Sequence, residues 1–429
     1  MKKSFLFVVS IMLFGIFLLA GCSNKERGKE EVNALKEIEG NWEGSIQVPN
    51  QPLAISVLFA EEKGTIDIPI QGISDYPLNN ISFEKPSIKF EMNIQGQKIT
   101  FEGTHENKKI TGTFAQQGQS FPFELFEGDT KEISKQNIVE IMVSGGKMKG
   151  QLEIPEGEGP FPLMIIIAGS GPTDKDGNSI VMGGKNNSLK MVAESLADNG
   201  IASIRYDKRG VAMNAVLGGK EEDLRFNNFV EDAESWVEYA KGDKRFSTVG
   251  IIGHSEGSLV GIAAADSVDI FISLAGAGRP IDEVLVEQLQ AQLPATLLEE
   301  SLLILQQLKQ GKQVEELSPE LHNLFRPSVQ PYMISWLTYH PANMLKELDI
   351  PVLVVNGDRD IQVPTKDANL LHEAKPDSKL LIIPGMNHVL KEAPEDREGN
   401  IATYTKPDLP LARGLMEEIV EFIQDIEKR

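Results

Sequence analysis

The chain is short of cysteine, of histidine and, relative to its acids, of basic residues. Of 429 residues one is cysteine, Cys22, so no disulfide can form within the chain. Basic side chains are outnumbered: 42 Lys and Arg stand against 63 Asp and Glu, a net charge of -21. A nucleic-acid binder would show a basic face, and this balance excludes that class. It also excludes broad electrostatic docking to anionic lipid. Histidine is scarce, with six in the chain, so any imidazole base must come from a small set. The length is more than one domain needs and is comfortable for two.

The single cysteine falls at an informative place. Met1-Lys2-Lys3 is basic, Ser4 to Ala20 is almost wholly apolar, and Leu19-Ala20-Gly21-Cys22 follows. This resembles a bacterial lipoprotein signal, in which small residues precede a cysteine that is lipidated and becomes the mature N-terminus. The resemblance implies a signal peptide over 1–21, a lipid on Cys22, and a cell-membrane protein held outside the cytoplasm. The polar, charged stretch that follows, about 22–36, reads as a flexible tether.

From 37 to 128 the hydrophobic period is two. Leu53, Ile55, Val57 and Phe59 alternate, as do Ile66, Ile68 and Ile70, then Ile88, Phe90, Met92 and Ile94. Short alternating strands with polar turns predict a small antiparallel β-barrel or sandwich. Gly40-Asn41-Trp42 is similar to the Gly-x-Trp opening of lipocalin-like barrels. The reading preferred is an accessory barrel filled by its own side chains; an apolar ligand site is the alternative.

Asp129 to Asn137 reads as a linker, and a second domain spans 137–429. It opens with a hairpin turning at Ser144-Gly145-Gly146. Apolar runs at Leu163–Ala168, Ile201–Tyr206, Thr248–Gly253, Ile270–Ala275, Pro351–Asn356 and Lys379–Ile383 then alternate with amphipathic stretches. Helices are expected at Asn187–Asn199, Phe229–Ala240 and Leu411–Ile426. Near-continuous apolar strands separated by helices predict an α/β fold with a mainly parallel sheet covered on both faces. The stretch 279–343 breaks the alternation. Leu285, Leu289 and Leu293 recur every four residues, and Tyr332, Met333 and Trp336 follow. It reads as a helical lid over the C-terminal edge of the sheet, where such folds hold ligands.

The chemistry centres on Gly253-His254-Ser255-Glu256-Gly257, which lies between an apolar strand and a small-residue helix. A Gly-x-Ser-x-Gly elbow lifts the serine hydroxyl above the sheet at a helix N-terminus, where developing negative charge is favoured. A serine needs a base, and the base needs an orienting acid. In α/β hydrolases these follow in the order Ser, acid, His. Asp358 and Asp360 compete for the acid in Asn356-Gly357-Asp358-Arg359-Asp360. The spacing of Gly357, Asp360 and Val363 favours Asp360. His372 and His388 lie downstream. His372 falls in a helical stretch, whereas His388 follows the last strand, so His388 is the expected base. The oxyanion donors expected are the N–H of Glu256 and the N–H of Ser170, with Gly169 or Gly171 as alternatives to Ser170. His254 is expected to pack or hydrogen-bond within the elbow.

Five stretches together resemble bacterial α/β-hydrolase esterases of the esterase D type and the wider serine aminopeptidase-like hydrolases. They are Gly169–Asn178, Tyr206–Val211, the elbow, the Asp360 loop and Asn387-His388. The resemblance implies hydrolysis of a small carboxylic ester through an acyl-enzyme, with no metal or organic cofactor. Three positions depart from it: Ala168 replaces a usual His, Lys175 an Arg, and Ala212 a Gly. Arg209 and Asp174 are expected to form a charge pair near the site. Asp174, Asp176 and Asn178 start like a calcium loop, but the glycine is misplaced and no distal Glu completes it. Two rival functions use the same residues differently: a serine peptidase or amidase, and a non-catalytic envelope lipoprotein binding a lipid or a partner.

Overall fold

The computed structural model describes residues 36–48, 53–60, 63–68, 73–94, 97–127, 137–179 and 185–428. The signal, Cys22 and nearly all of the tether lie outside the described residues, as does most of the linker.

The first part is one antiparallel sheet. Its strands are β1 (Gly40–Ile46), β2 (Leu53–Ala60), β3 (Lys63–Ile68), β4 (Ile73–Pro77), β5 (Asn79–Glu84), β6 (Ser87–Ile94), β7 (Gln97–Glu106), β8 (Lys109–Gln116) and β9 (Gln119–Glu127). The spatial order is β4-β3-β2-β1-β9-β8-β7-β6-β5, with β5 coming back against β3, so the sheet is nearly closed. Period-two alternation turns Val57, Ile66, Phe90, Phe101, Phe123 and Leu125 inward. Phe90 and Phe101 stack at 4.6 Å, and Trp42 Nε1 donates to the Ile38 carbonyl at 2.8 Å. The interior is therefore packed with side chains, each large one contributing about 1.5–3 kcal/mol of burial.

The second part is an eight-stranded sheet. A hairpin of β10 (Asn137–Val143) and β11 (Gly146–Glu153) leads in. Then come β12 (Phe161–Ile167), β13 (Ala202–Tyr206), β14 (Phe246–His254), β15 (Ile270–Leu274), β16 (Val352–Gly357) and β17 (Lys379–Ile383). The order is β10-β11-β13-β12-β14-β15-β16-β17, parallel from β13 to β17. Alternate residues of one strand serve opposite faces. Ile165 and Ile167 join one apolar cluster, whereas Met164 and Ile166 join the other. Helix α1 (Ser188–Asp198) covers the second face. Helices α2 (Phe226–Gly242) and α3 (Glu256–Ala263) cover the first. The chain leaves β12 toward β13 on one side and later takes up β14 on the other. The crevice at their C-terminal ends is the switch point where open α/β sheets bind ligands.

The insertion is helical: α4 (Ile281–Gln290), α5 (Ala295–Lys309), α6 (His322–Phe325), α7 (Gln330–Trp336) and α8 (Pro341–Lys346). Pro280 and Pro294 stand just before α4 and α5, and Pro331 and Pro341 open α7 and α8, as fits a residue that lacks an N–H. Helices α9 (Thr365–Ala374), α10 (Arg397–Ala402) and α11 (Leu415–Glu427) complete the chain.

Two helix starts differ from expectation. Helix α2 begins a turn earlier because Asn228, at its third position, accepts the Arg225 N–H at 2.8 Å and supplies a cap from within. Helix α11 begins later because Gly414 has φ 84°, a left-handed value that a continuous helix from Leu411 could not contain. The two parts meet where β4 lies against the 3-10 turn Ala212–Leu217, and Lys185 pairs with Asp67 at 3.6 Å. Among the described residues no helix is long and apolar enough to cross a membrane.

Candidate active site

Ser255 caps α3 with φ 55° and ψ -120°, a strained conformation for a residue with a side chain. Tight packing enforces it. A Cβ on Gly257 would stand 2.3 Å from the Ile167 carbonyl oxygen, and one on Gly253 would stand 2.3 Å from that of Gly257. The Ser255 N–H is tied to the Leu274 carbonyl at 2.9 Å. The elbow therefore sits wedged between β12 and β15, with the hydroxyl at the crevice.

The three side chains named from the sequence converge there. His388 Nε2 lies 3.1 Å from Ser255 Oγ, and its Nδ1 lies 2.8 Å from Asp360 Oδ2. Asp360 has no exposed side-chain surface, and His388 retains 5%. The other Asp360 oxygen accepts the N–H groups of Gln362 at 2.8 Å and Val363 at 2.9 Å. A carboxylate facing Nδ1 fixes the proton there and leaves the Nε2 lone pair toward the hydroxyl. Such a chain can move the Ser255 proton onto Nε2.

The base loop is held on both sides. Asn387 donates to Asn400 at 3.1 Å and to Thr403 at 2.6 Å. His254 Nε2 meets the His388 carbonyl at 2.8 Å and must donate, since a carbonyl only accepts. Burial, and then the nearby His388, pull the His254 imidazole down to about 4, so it is neutral at pH 7. The competing residues stand elsewhere. Asp358 accepts the Gly385 N–H at 2.7 Å in an exposed turn, and His372 bonds to Ser378 at 2.9 Å.

The loop after β12 packs directly on the elbow: a Cβ on Gly169 would stand 3.1 Å from Ser255 Cβ. Beyond it the loop is tied internally. Asp174 accepts the N–H groups of Asp176 and Asn178, both at 2.9 Å. Burial and the neighbouring Asp176 and Asp207 push the Asp174 carboxyl up to about 7. Burial acts the same way on Asp176, but Lys175 and Arg205 outweigh it and hold that carboxyl well below its ordinary value. Among the described residues no group of three or more His, Cys, Asp or Glu is placed to hold a metal ion.

The expected Arg209–Asp174 pair does not form. Arg209 instead makes a two-pronged contact with Asp232 of α2, at 2.8 and 2.5 Å, because Asp174 is spent on its own loop. Sequence reasoning also passed over Lys208. It is buried and donates to the Gly169 carbonyl at 2.5 Å and to Glu256 at 3.3 Å. The remaining Glu256 oxygen accepts the hydroxyl of Tyr332 at 2.7 Å. The available signal was the position of Lys208 at the end of a buried strand, where a lysine is seldom left without a partner.

A cavity of ≈ 540 Å3 opens beside Ser255, between the elbow and the insertion. Its apolar wall includes Leu259, Val284, Leu285, Leu289, Met333 and Trp336. Arg279 and Arg326 also line it, each paired with acids: Arg279 with Asp367 and Glu287, Arg326 with Glu221.

Comparison with known proteins shows the family. Esterase EstD of Thermotoga maritima is 32% identical over 379 residues, which cover 86% of this chain and 82% of that protein. This chain belongs to the esterases of the α/β-hydrolase fold. The family model described as serine aminopeptidase, S33, matches residues 182–394, a span that takes in the elbow and both downstream residues of this esterase. Among solved structures, Est1E from Butyrivibrio proteoclasticus is 20% identical, with a TM-score of 0.44, covering 68% of this chain and 99% of that one. A thermophilic esterase from Thermogutta terrifontis is 17% identical, with a TM-score of 0.42, covering 68% and 99%.

Proposed function

We propose that this carboxylic ester hydrolase works through an acyl-enzyme on Ser255. Ser255 Oγ attacks the ester carbonyl carbon as His388 Nε2 takes its proton. The carbonyl oxygen, now an anion, accepts the N–H groups of Glu256 and Ser170. Collapse of the tetrahedral species breaks the bond to the alcohol oxygen, which leaves with the proton from His388. Water then repeats the sequence on the acyl group, again through His388, and frees the acid. Asp360 holds the imidazole tautomer through Nδ1. What supports the reading is the single hydrogen-bonded chain Asp360–His388–Ser255, at 2.8 and 3.1 Å.

Two measurements test it. Ser255→Ala is expected to lower kcat/KM for p-nitrophenyl butyrate by about 10^5- to 10^6-fold with the fold intact. A fluorophosphonate is expected to label the wild type at Ser255 and to leave the variant unlabelled. Retained turnover in the variant would refute the assignment.

Ester rather than aminopeptide substrates are favoured by the cavity. Glu256 is the one carboxylate among the described residues lining it, and both its oxygens are engaged by Lys208 and Tyr332. A free α-ammonium would meet two arginines and no available acid. Faster turnover of amino-acid p-nitroanilides than of p-nitrophenyl esters would reverse this preference.

The insertion over 279–343 is proposed as the wall of the acyl pocket. Leu289→Trp is expected to lower the octanoate-to-acetate ratio of kcat/KM at least tenfold; an unchanged ratio would remove the insertion from substrate selection. Attachment to the outer face of the cell membrane through a lipid on Cys22 completes the proposal and rests on the N-terminal sequence alone. Incorporation of a labelled fatty acid into the wild type, and none into Cys22→Ala, is the outcome required.

A further inference from the structure

The Gly169–Ser170 peptide must point its N–H at the oxyanion for Ser170 to serve as a donor; within the loop Thr173 Oγ1 holds the next carbonyl, that of Ser170, at 2.7 Å, and the Gly169 carbonyl takes its hydrogen bond from outside. Residue 168 is alanine, without a polar atom to help. Gly169 has no side chain, and Ser170 is exposed. A trans peptide is planar, with its carbonyl and N–H pointing in opposite directions. Whatever grips the Gly169 carbonyl from behind therefore aims the Ser170 N–H forward.

Lys208 holds that carbonyl. Its ammonium donates to Gly169 O at 2.5 Å from a side chain only 4% exposed. The same ammonium meets Glu256 Oε1 at 3.3 Å and lies 5.2 Å from the centre of the Phe229 ring. Glu256 is the residue whose N–H is the second donor. One buried cation thus touches both segments of the oxyanion hole. Tyr332, from α7 of the insertion, closes the set through the other Glu256 oxygen. Burial, and then the adjacent Glu256 charge, hold the Tyr332 hydroxyl far above its ordinary range, so it remains a donor.

We infer that Lys208 is a positioning residue for the oxyanion hole, orienting and polarising the Gly169–Ser170 peptide. It touches no reacting atom. Its charge on the carbonyl oxygen withdraws electrons from the peptide and strengthens the N–H on the far side, as bonds in a chain reinforce one another. Glu256 serves as its counter-ion and keeps the ammonium from being an unpaired buried charge. The inference rests on the reading of Ser255 as nucleophile and Ser170 N–H as donor.

The test uses the full chain and p-nitrophenyl butyrate, with active sites counted by fluorophosphonate titration. Three variants are compared: Lys208→Met, Glu256→Gln, and the double variant, which removes both charges and so spares the fold an uncompensated carboxylate. Deleting an oxyanion donor outright costs about 10^2- to 10^3-fold in kcat. Misdirecting one is expected to cost less, about 10- to 100-fold per titrated site, with KM within threefold. Glu256→Gln keeps the Lys208–Gly169 contact and serves as the reference for the double variant, so that any further loss in the double variant reads Lys208 alone. The inhibition constant of butylboronic acid, whose tetrahedral adduct occupies the oxyanion hole, should rise by the same factor as kcat falls in the Lys208 variants. A merely structural role would lower the number of titratable sites or the melting temperature and leave per-site kcat and the boronate ratio unmoved. A double variant with per-site kcat within threefold of Glu256→Gln overturns the inference. Failure of the wild type itself to react with the fluorophosphonate would instead overturn the assignment of Ser255.

Discussion

Replacing Asp360 by Asn tests the site through one atom. Asn has the same shape, so the question is which way its amide turns. In the native protein one carboxylate oxygen accepts two backbone N–H groups, from Gln362 and Val363, and the other faces His388 Nδ1. If the new NH2 faced the two backbone donors, both N–H groups would be left without an acceptor. Each such loss costs about 1–3 kcal/mol, so this orientation lies roughly 4 kcal/mol higher. The amide must therefore point its oxygen at the backbone and its NH2 at Nδ1. An NH2 facing Nδ1 makes that nitrogen the acceptor and moves the ring proton to Nε2. The imidazole then presents an N–H to Ser255 Oγ and cannot take its proton. The minority orientation, at about 4 kcal/mol, retains roughly one part in 10^3 of the population. We expect kcat/KM for p-nitrophenyl butyrate to fall about 10^3- to 10^4-fold, with the melting temperature close to wild type. The magnitude matches what a wrong tautomer costs in a Ser-His-Asp triad. The control is Asp358→Asn, which keeps an oxygen for the Gly385 N–H and should stay within twofold of wild type. A loss below tenfold in folded Asp360→Asn, or an equal loss in both variants, would refute the assignment of Asp360 as the orienting acid.

Two further predictions concern what holds the site. Arg209→Met leaves Asp232, 1% exposed, without its partner; burial already pushes that carboxyl up against the opposing pull of Arg209. Urea unfolding should show a loss of about 3–5 kcal/mol, most of it recovered in the Arg209→Met/Asp232→Leu double variant, and an additive double variant would contradict the coupling. For His254, lowered to about 4, the unfolded chain binds a proton near pH 6.5 that the folded chain refuses until about pH 4. Stability is therefore unaffected above pH 6.5 and declines as pH falls from 6.5 toward 4, by roughly 3 kcal/mol from this residue. His254→Gln should flatten the decline by about that amount in unfolding curves at pH 7 and pH 4.5; parallel curves for the two proteins would count against it.

The fold was legible because its two periods are clean. Alternation in Leu53–Phe59 or Ile88–Ile94 can be satisfied only by strands with one wet face, and unbroken runs such as Leu163–Ala168 only by strands covered twice. The meeting of Ser255, Asp360 and His388 at one place was legible for a related reason. Each follows the end of such a run, and parallel strands bring all their C-terminal ends to one edge. Two helix starts were not legible, because Asn228 caps from inside its helix and Gly414 breaks the pattern after it has begun. The partner of Arg209 was missed for a physical reason. Asp174 looked free in the sequence, yet one of its oxygens accepts the backbone N–H groups two and four residues on and the other accepts the Asn178 side-chain amide, a local turn that competes with any distant cation. Asp232, four residues into α2 from Asn228, carries no mark of its pairing; only the packing of α2 against the loop after β13 reveals it.

That loop and its strand explain how an enzyme site made of loops can be rigid. Arg205 and Lys208 are buried, the Arg209 side chain is largely covered, and each is tied to a different neighbour. Arg205 takes Asp176 of the loop after β12 and Glu153 at the end of β11; Lys208 takes Gly169 and Glu256; Arg209 takes Asp232 of α2. Buried pairs of this kind add little to net stability, since desolvation offsets attraction, but breaking any one is costly. Their effect is to make one arrangement of four elements far better than its neighbours. In a chain with a net charge of -21, cations are the scarce partner, so concentrating three of them beside the elbow is a strong constraint on geometry. The insertion combines directional ties, Arg279 to Asp367, Arg326 to Glu221 and Tyr332 to Glu256, with leucine contacts that are individually weak and have no preferred direction.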